Sequence, residues 1–253
     1  MVWWRTAAVV GAVVALVGCA KEESTEPTQP RNYFPFAVGN WWVYSGIRLD
    51  TSGAEIPGTE WRDSMVIVRQ VPWHGRQAYV AVQYRSNDHT PDTMLLSSDG
   101  VRLYMFFPST GEVPGPTGWV KVADYSASSW AIWDTTLTNV PLDPDNPQVT
   151  VSGSMRWRGE RGNETLRLPV KGRQVEAQEF RVQASFDGKI FAQGREVGTI
   201  TFTARFRWWV AEGIGVVRDQ TDPAELRVQS SLISDTVKQE GERRVLVDYN
   251  VQQ

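Results

Sequence analysis

Apolar and polar residues alternate along most of this chain, and the period is two. In residues 151–158 the odd positions are apolar or small and the even ones polar. Phe180, Val182, Ala184 and Phe186 share one face, as do Phe202, Ala204, Phe206 and Trp208. Ala78, Val80, Val82 and Tyr84 form another such set, and Val245, Val247, Tyr249 and Val251 a further one. Alternation of this kind sends every second side chain into a core and the rest into water, which is the signature of a half-buried strand. The pattern predicts an all-β domain: an antiparallel, strongly curved sheet or half-open β-barrel with little helix.

Turn residues divide the runs. Asp99-Gly100 separates residues 94–98 from 101–107, and Asp187-Gly188 separates 179–186 from 189–191. Asp-Gly between alternating apolar residues predicts a hairpin at each place. Gly213-Ile214-Gly215 supplies flexible backbone where the strand ending in Trp208-Trp209 reverses. Residues 125–133 are the least strand-like and leave room for one helical turn. Asp222-Pro223-Ala224-Glu225 offers another, with proline at its first position. The proline-rich stretches 108–116 and 140–147 read as loops. The second is a place where the domain would divide in two, but the same strand pattern on both sides favours one continuous sheet. No repeat of fixed period is present.

The N-terminus follows a different rule. After Arg5, residues 6–17 are an unbroken apolar run. A basic start, a short apolar run and a small-residue exit describe a secretory signal peptide, and the run falls short of the roughly 20 residues that span a bilayer. Its exit, Leu16-Val17-Gly18-Cys19, resembles the lipobox of bacterial lipoproteins. That resemblance implies cleavage before Cys19 and attachment of diacylglycerol to its sulfur. Cys19 is the one cysteine of the chain, so lipidation would also account for an otherwise odd thiol. Residues 20–31, AKEESTEPTQPR, have the composition of a solvated tether with a root-mean-square span of roughly 20 Å. The expected organisation is therefore a signal peptide at 1–18, lipidated Cys19 and tether at 19–31, and a β domain at 32–253. Ala20, where an aspartate would retain the protein at the inner membrane in enterobacteria, implies the outer membrane.

Three further fragments carry a family resemblance. Tyr33-Phe34-Pro35-Phe36-Ala37-Val38-Gly39-Asn40-Trp41-Trp42-Val43-Tyr44 resembles the FPLxxGNxWxY opening of exported bacterial lipoproteins of unknown function. Val175-Glu176-Ala177-Gln178-Glu179-Phe180 resembles their VPAGxF strand, with Glu176 and Gln178 replacing the usual Pro and Gly. Trp208-Trp209-Val210-Ala211-Glu212-Gly213-Ile214-Gly215-Val216-Val217-Arg218 resembles their YYAxGVGxVK hairpin. The resemblance implies a curved antiparallel sheet somewhat like that of the periplasmic carriers LolA and LolB. It brings no catalytic residue with it.

Charge and composition narrow the chemistry. The net charge is −3, with both signs interspersed, so nucleic acid is not an expected partner. The two histidines, His74 and His89, both sit in turn-like contexts, and His89 with Asp88 or Asp92 is the one arrangement that resembles a metal or proton-transfer site. Zinc needs three or four ligands, and no cluster supplies them, so no metal and no cofactor is expected. Asp143-Pro144-Asp145-Asn146 reads as a loop rather than a calcium site, since the EF-hand spacing is missing. Neither a G-x-S-x-G elbow nor a glycine-rich phosphate loop occurs.

Tryptophan is the compositional anomaly, with twelve in the chain. Neighbours on a strand face opposite ways, so one indole of Trp41-Trp42 and one of Trp208-Trp209 leaves the main core. Trp130 and Trp133, in the irregular middle segment, are the candidates for lining an opening that takes an apolar ligand. Three functions are open: a non-catalytic binding or interaction module of the cell envelope, held to the membrane by its lipid anchor and taking an apolar ligand or an envelope protein; a structural lipoprotein without a small-molecule ligand; and an envelope hydrolase built on carboxylates such as Asp88 and Asp92. An apolar cavity of about 300 Å³ would favour the first.

Overall fold

The computed structural model describes residues 32–86, 90–109, 115–143, 146–230 and 234–252. They form strands and turns with no helix. Six strands, β1 (Trp41–Leu49), β2 (Trp61–Trp73), β3 (Arg76–Arg85), β4 (Asp92–Ser98), β5 (Arg102–Phe107) and β6 (Gly118–Asp124), follow one another as an antiparallel meander. Then come four long strands, β7 (Ser129–Asp143), β8 (Asn146–Val170), β9 (Arg173–Ala192) and β10 (Arg195–Ala211). The chain ends with β11 (Gly215–Thr221), β12 (Ala224–Ser230), β13 (Ser234–Gln239) and β14 (Gly241–Asn250). All fourteen belong to one sheet, whose main path runs β6-β5-β4-β3-β2-β1-β14-β11-β10-β9-β8-β7.

The two ends of that path, β6 and β7, meet but share no ladder, so the barrel is nearly closed. Side chains bridge the seam. The buried Trp130 indole donates to the Val122 carbonyl at 3.3 Å, and the Arg161 guanidinium donates to the Tyr125 carbonyl. Trp130 is paired with Gly159 on β8, and a Cβ on Gly159 would lie 2.0 Å from the indole. The missing side chain is what lets the ring lie flat across the strand. Trp61 and Gly46 repeat the arrangement between β2 and β1.

The long strands outrun the barrel. One half of β10 pairs with β11 and the other with β12, and β12 carries β13 as an outer edge. This divergence creates a second small core of Leu137, Val151, Phe186, Ile190 and Ile200, separate from the larger first one. The sheet is nevertheless continuous.

The predicted fold class is the observed one, and the alternation of Phe180, Val182, Ala184 and Phe186 is reproduced, all four being buried. The Asp187-Gly188 hairpin is not there. β9 runs straight through it, with Gly188 opposite Gly153, and a Cβ on Gly153 would meet the Asp187 carbonyl oxygen at 2.3 Å. These two glycines permit close approach of bent strands rather than a turn. The reversals on either side of β9 use Lys171-Gly172 and Gln193-Gly194, in which both residues have positive φ, as a two-residue type I′ turn requires. At Asp99-Gly100 the hairpin exists, but only the glycine has positive φ. Residues 129–133 and 224–225 are strand, not helix, because each is paired along its length. Residues 140–143 continue β7 up to its hairpin with β8 instead of forming a loop.

Candidate functional site

The opening fragment of the domain closes one end of the barrel. Tyr33 N donates to the Gly100 carbonyl at 2.9 Å, and Gly213 N to the Asn32 carbonyl at 2.8 Å. Residues 32–36 thus lie between the β4–β5 and β10–β11 turns. Asn40 is fully buried and ties this segment to the last residues: its amide donates to Pro35 O at 2.6 Å, and its Oδ1 accepts from Gln252 N at 2.9 Å. A buried amide with its partners in place fixes position more than it adds stability. Phe34 and Phe36 are thereby seated on the barrel interior, with Phe36 edge-on to Trp42 at 6.3 Å.

Beneath them is a half-open pocket of about 150 Å³. Its apolar wall includes Met65, Met94 and Met105, together with Leu96, Leu103 and Trp208. Each of these sits on an inward position of its strand. Trp42 and Tyr44 cross the interior from β1 and donate to carbonyls on β11: Trp42 Nε1 to Ile214 O at 2.7 Å, and Tyr44 Oη to Val216 O at 3.0 Å. Burial pushes the Tyr44 phenol well above its ordinary pKa, so it remains a donor. The methionines give the wall a soft, adaptable surface.

One side of the cavity is ionic. Arg244 on β14 donates from Nε to Asp219 Oδ1 at 3.0 Å and from Nη1 to Asp63 Oδ2 at 2.5 Å, and its Nη2 stands 2.9 Å from Asp219 Oδ2. Gln83 Nε2 adds a bond to Asp63 Oδ2 at 2.7 Å. Gln83, Asp219 and Arg244 line the cavity. Asp63 is 1% exposed, and its Oδ1 accepts no hydrogen bond from any described residue. Burial lowers the Arg244 guanidinium's pKa, but Asp219 and Asp63 outweigh it and hold it above its ordinary value. Burial raises the Asp219 carboxyl, against the pull of Arg244. Two carboxylates do converge here, but both are held by the same arginine. An acid–base pair needs a carboxyl free to exchange its proton with a substrate, and this arrangement offers a fixed polar wall instead.

Trp130 is 6% exposed at the seam, and Trp133 is half-buried, edge-on to Trp157 at 6.2 Å. The cavity wall is drawn from other residues, Trp42 and Trp208 among them. The paired tryptophans do point opposite ways. Neither indole of the second pair leaves the main core, however: Trp209 is fully buried in it, with Arg218 4.4 Å from its ring, and Trp208 packs against it, whereas Trp41 is half-buried with the Lys171 ammonium 5.8 Å away. Asp92 is exposed at the start of β4, whereas Cys19, Asp88 and His89 lie outside the described residues. So do the side chains of residues 143–147. Among the described residues no group of three or more His, Cys, Asp or Glu is placed to hold a metal, and no helix is long and apolar enough to cross a membrane.

No protein-family model matches this chain, and no curated protein does. Two solved structures are similar to it in part. A candidate lipoprotein from Parabacteroides distasonis is 12% identical, with a TM-score of 0.41, over 87% of this chain and 99% of its own. A candidate exported protein with a YmcC-like fold from Bacteroides fragilis is also 12% identical, with a TM-score of 0.34 over the same shares. Scores at this level transfer no function.

Proposed function

We propose that this chain is a lipid-anchored envelope protein, tethered through Cys19 to the outer membrane, whose barrel holds a small apolar ligand without transforming it. The observation that carries the ligand is the cavity: apolar side chains from β1, β2, β4, β5 and β10 surround a space that they do not fill. A half-open pocket of about 150 Å³ with a largely apolar wall is large enough for a ring the size of benzene. The lipobox-like run ending at Cys19 supports the anchor.

The volume is below the 300 Å³ or more of most drug-sized sites, which favours a second reading, a structural barrel with no ligand. Native mass spectrometry of the protein extracted from its own envelope separates the two. The proposal expects a covalent diacylglycerol increment on Cys19 and a released small apolar molecule. An unmodified Cys19 would overturn the anchor, and a lipidated protein with no second species would favour the structural reading.

A further inference from the structure

We infer that the domain rests on the bilayer through an aromatic patch on its outer face, made of Trp73, His74, Phe106 and Trp119. This rests on the lipid anchor proposed above and adds the face that the domain turns to the membrane.

The patch is built from two strands and one turn. Leu103 is buried and Met105 lines the pocket, so the alternate residues of β5, Tyr104 and Phe106, point outward. Phe106 is paired with Trp119 on β6, and their rings meet edge-on at 5.5 Å. His74 and Gly75 both have positive φ and form the two-residue turn between β2 and β3. That turn lies over β5. The His74 ring stacks on Phe106 at 4.9 Å, and Trp73 meets the same ring edge-on at 5.9 Å. The Trp119 indole donates to the Trp73 carbonyl at 3.0 Å and so holds the hairpin tip in place. Trp73 nevertheless stays 41% exposed, and Phe106 and Trp119 are only half-buried.

Single exposed rings are ordinary, but a contiguous set marks an interaction surface. Two observations favour a lipid surface as its occupant. The first is chemistry. Aromatic rings with a polar edge settle at the level of lipid headgroups. Beside them Arg76, paired with Trp73 across the turn, lies over the Tyr104 ring at 3.6 Å and has no ion-pair partner among the described residues. A free guanidinium next to the rings suits a lipid phosphate, which it can bind through two parallel hydrogen bonds.

The second observation is reach. Tyr33 N donates to Gly100 O, so the tether joins the domain beside the β4–β5 turn. Phe106 lies roughly 20 Å farther along β5. The tether itself has a root-mean-square span of roughly 20 Å. A bilayer that holds Cys19 is therefore within reach of the patch. Tethering makes the contact intramolecular, so a surface too small to bind a membrane by itself suffices.

The test uses residues 19–253, which keep every strand, coupled through the Cys19 thiol to a maleimide phospholipid. The vesicles are phosphatidylethanolamine with one quarter phosphatidylglycerol and a trace of phosphatidylcholine carrying a diazirine high on one acyl chain. After illumination, label should fall at least about fivefold more on residues 72–77, 104–107 and 118–121 than on the equally tethered β13, whose residues are all exposed. In Trp73→Glu the label on 104–107 and 118–121 should drop by a similar factor. Label spread evenly, label concentrated on another face, or no label on the domain would each overturn the inference. The unmodified chain decides these outcomes, so they do not depend on the folding of the variant. The coupling is chemical, so failure of docking is read from the label, and failure of the anchor reading is read separately from the native mass spectrum.

Discussion

The Arg244 guanidinium, on β14 in the middle of the sheet, reaches across β1 to donate to Asp63 on β2 at 2.5 Å. The same side chain holds Asp219 on β11 from its other edge. One residue thus ties together strands on both sides of the β1–β14 pair. Such an interaction is hard to assign a sign, because removing charges from water offsets much of their attraction. Removing one member is a different matter, since the others stay buried.

Arg244→Met should therefore leave two uncompensated carboxylates in the interior and destabilise the protein by about 3–5 kcal/mol. Adding Asp63→Asn and Asp219→Asn to the same chain should restore much of that loss. Urea denaturation of the single and triple variants measures both. A single variant as stable as the parent would show that the cluster is not buried as described.

The seam between β6 and β7 rests on Trp130. Trp130→Ala removes a buried ring and its bond to Val122 O, and the expected loss is about 3–5 kcal/mol. Amide exchange should rise first in β6 and β7, the edges that no ladder joins. Gly159→Ala should act at the same place, because the new methyl would occupy the space of the indole. Uniform exchange across the sheet in both variants would contradict a side-chain-closed seam.

Acid stability depends on Asp124 at the end of β6. Its burial, which opposes charge, is outweighed by bonds from the Lys121 ammonium at 2.7 Å and from Ser126, and its pKa falls to about 2. A carboxyl whose folded pKa is depressed stabilises the fold above its unfolded value and loses that contribution as pH falls. The window here runs from about pH 4 down to about 2, and the contribution at neutral pH is about 2 kcal/mol. Asp124→Asn should lower stability at pH 7 by up to that amount and flatten the profile across the window. Chemical denaturation between pH 2 and 7 provides the comparison.

These residues show what the sequence makes legible. Strand faces follow from local alternation, so Phe180–Phe186 and the Trp42/Trp208 faces can be read directly. Asp187-Gly188 misleads because a glycine admitting a neighbouring backbone looks the same in sequence as one making a turn. Lys171-Gly172 and Gln193-Gly194 make real type I′ turns with less favoured first residues. The ionic wall depends on register: Asp63, Asp219 and Arg244 come from strands far apart in the chain, and only pairing around the barrel brings them together. The available signal was each charge standing at an inward position, as Asp219 does two residues after Val217. Trp130 and Trp133 drew attention as aromatics in an irregular segment, but whether such a ring closes a seam or borders an opening depends on its partners, Gly159 and Trp157.

The most direct measurement of the hollow interior uses the methionine methyl groups. Residues 20–253 contain four methionines: Met65, Met94 and Met105 on the cavity, and Met155 against the second core. Carbon-13 methyl spectra recorded during titration with n-hexanol should show Met65, Met94 and Met105 shifting together to saturation while Met155 stays in place. Four unmoved signals, or four that drift alike without saturating, would contradict a barrel that takes a ligand inside.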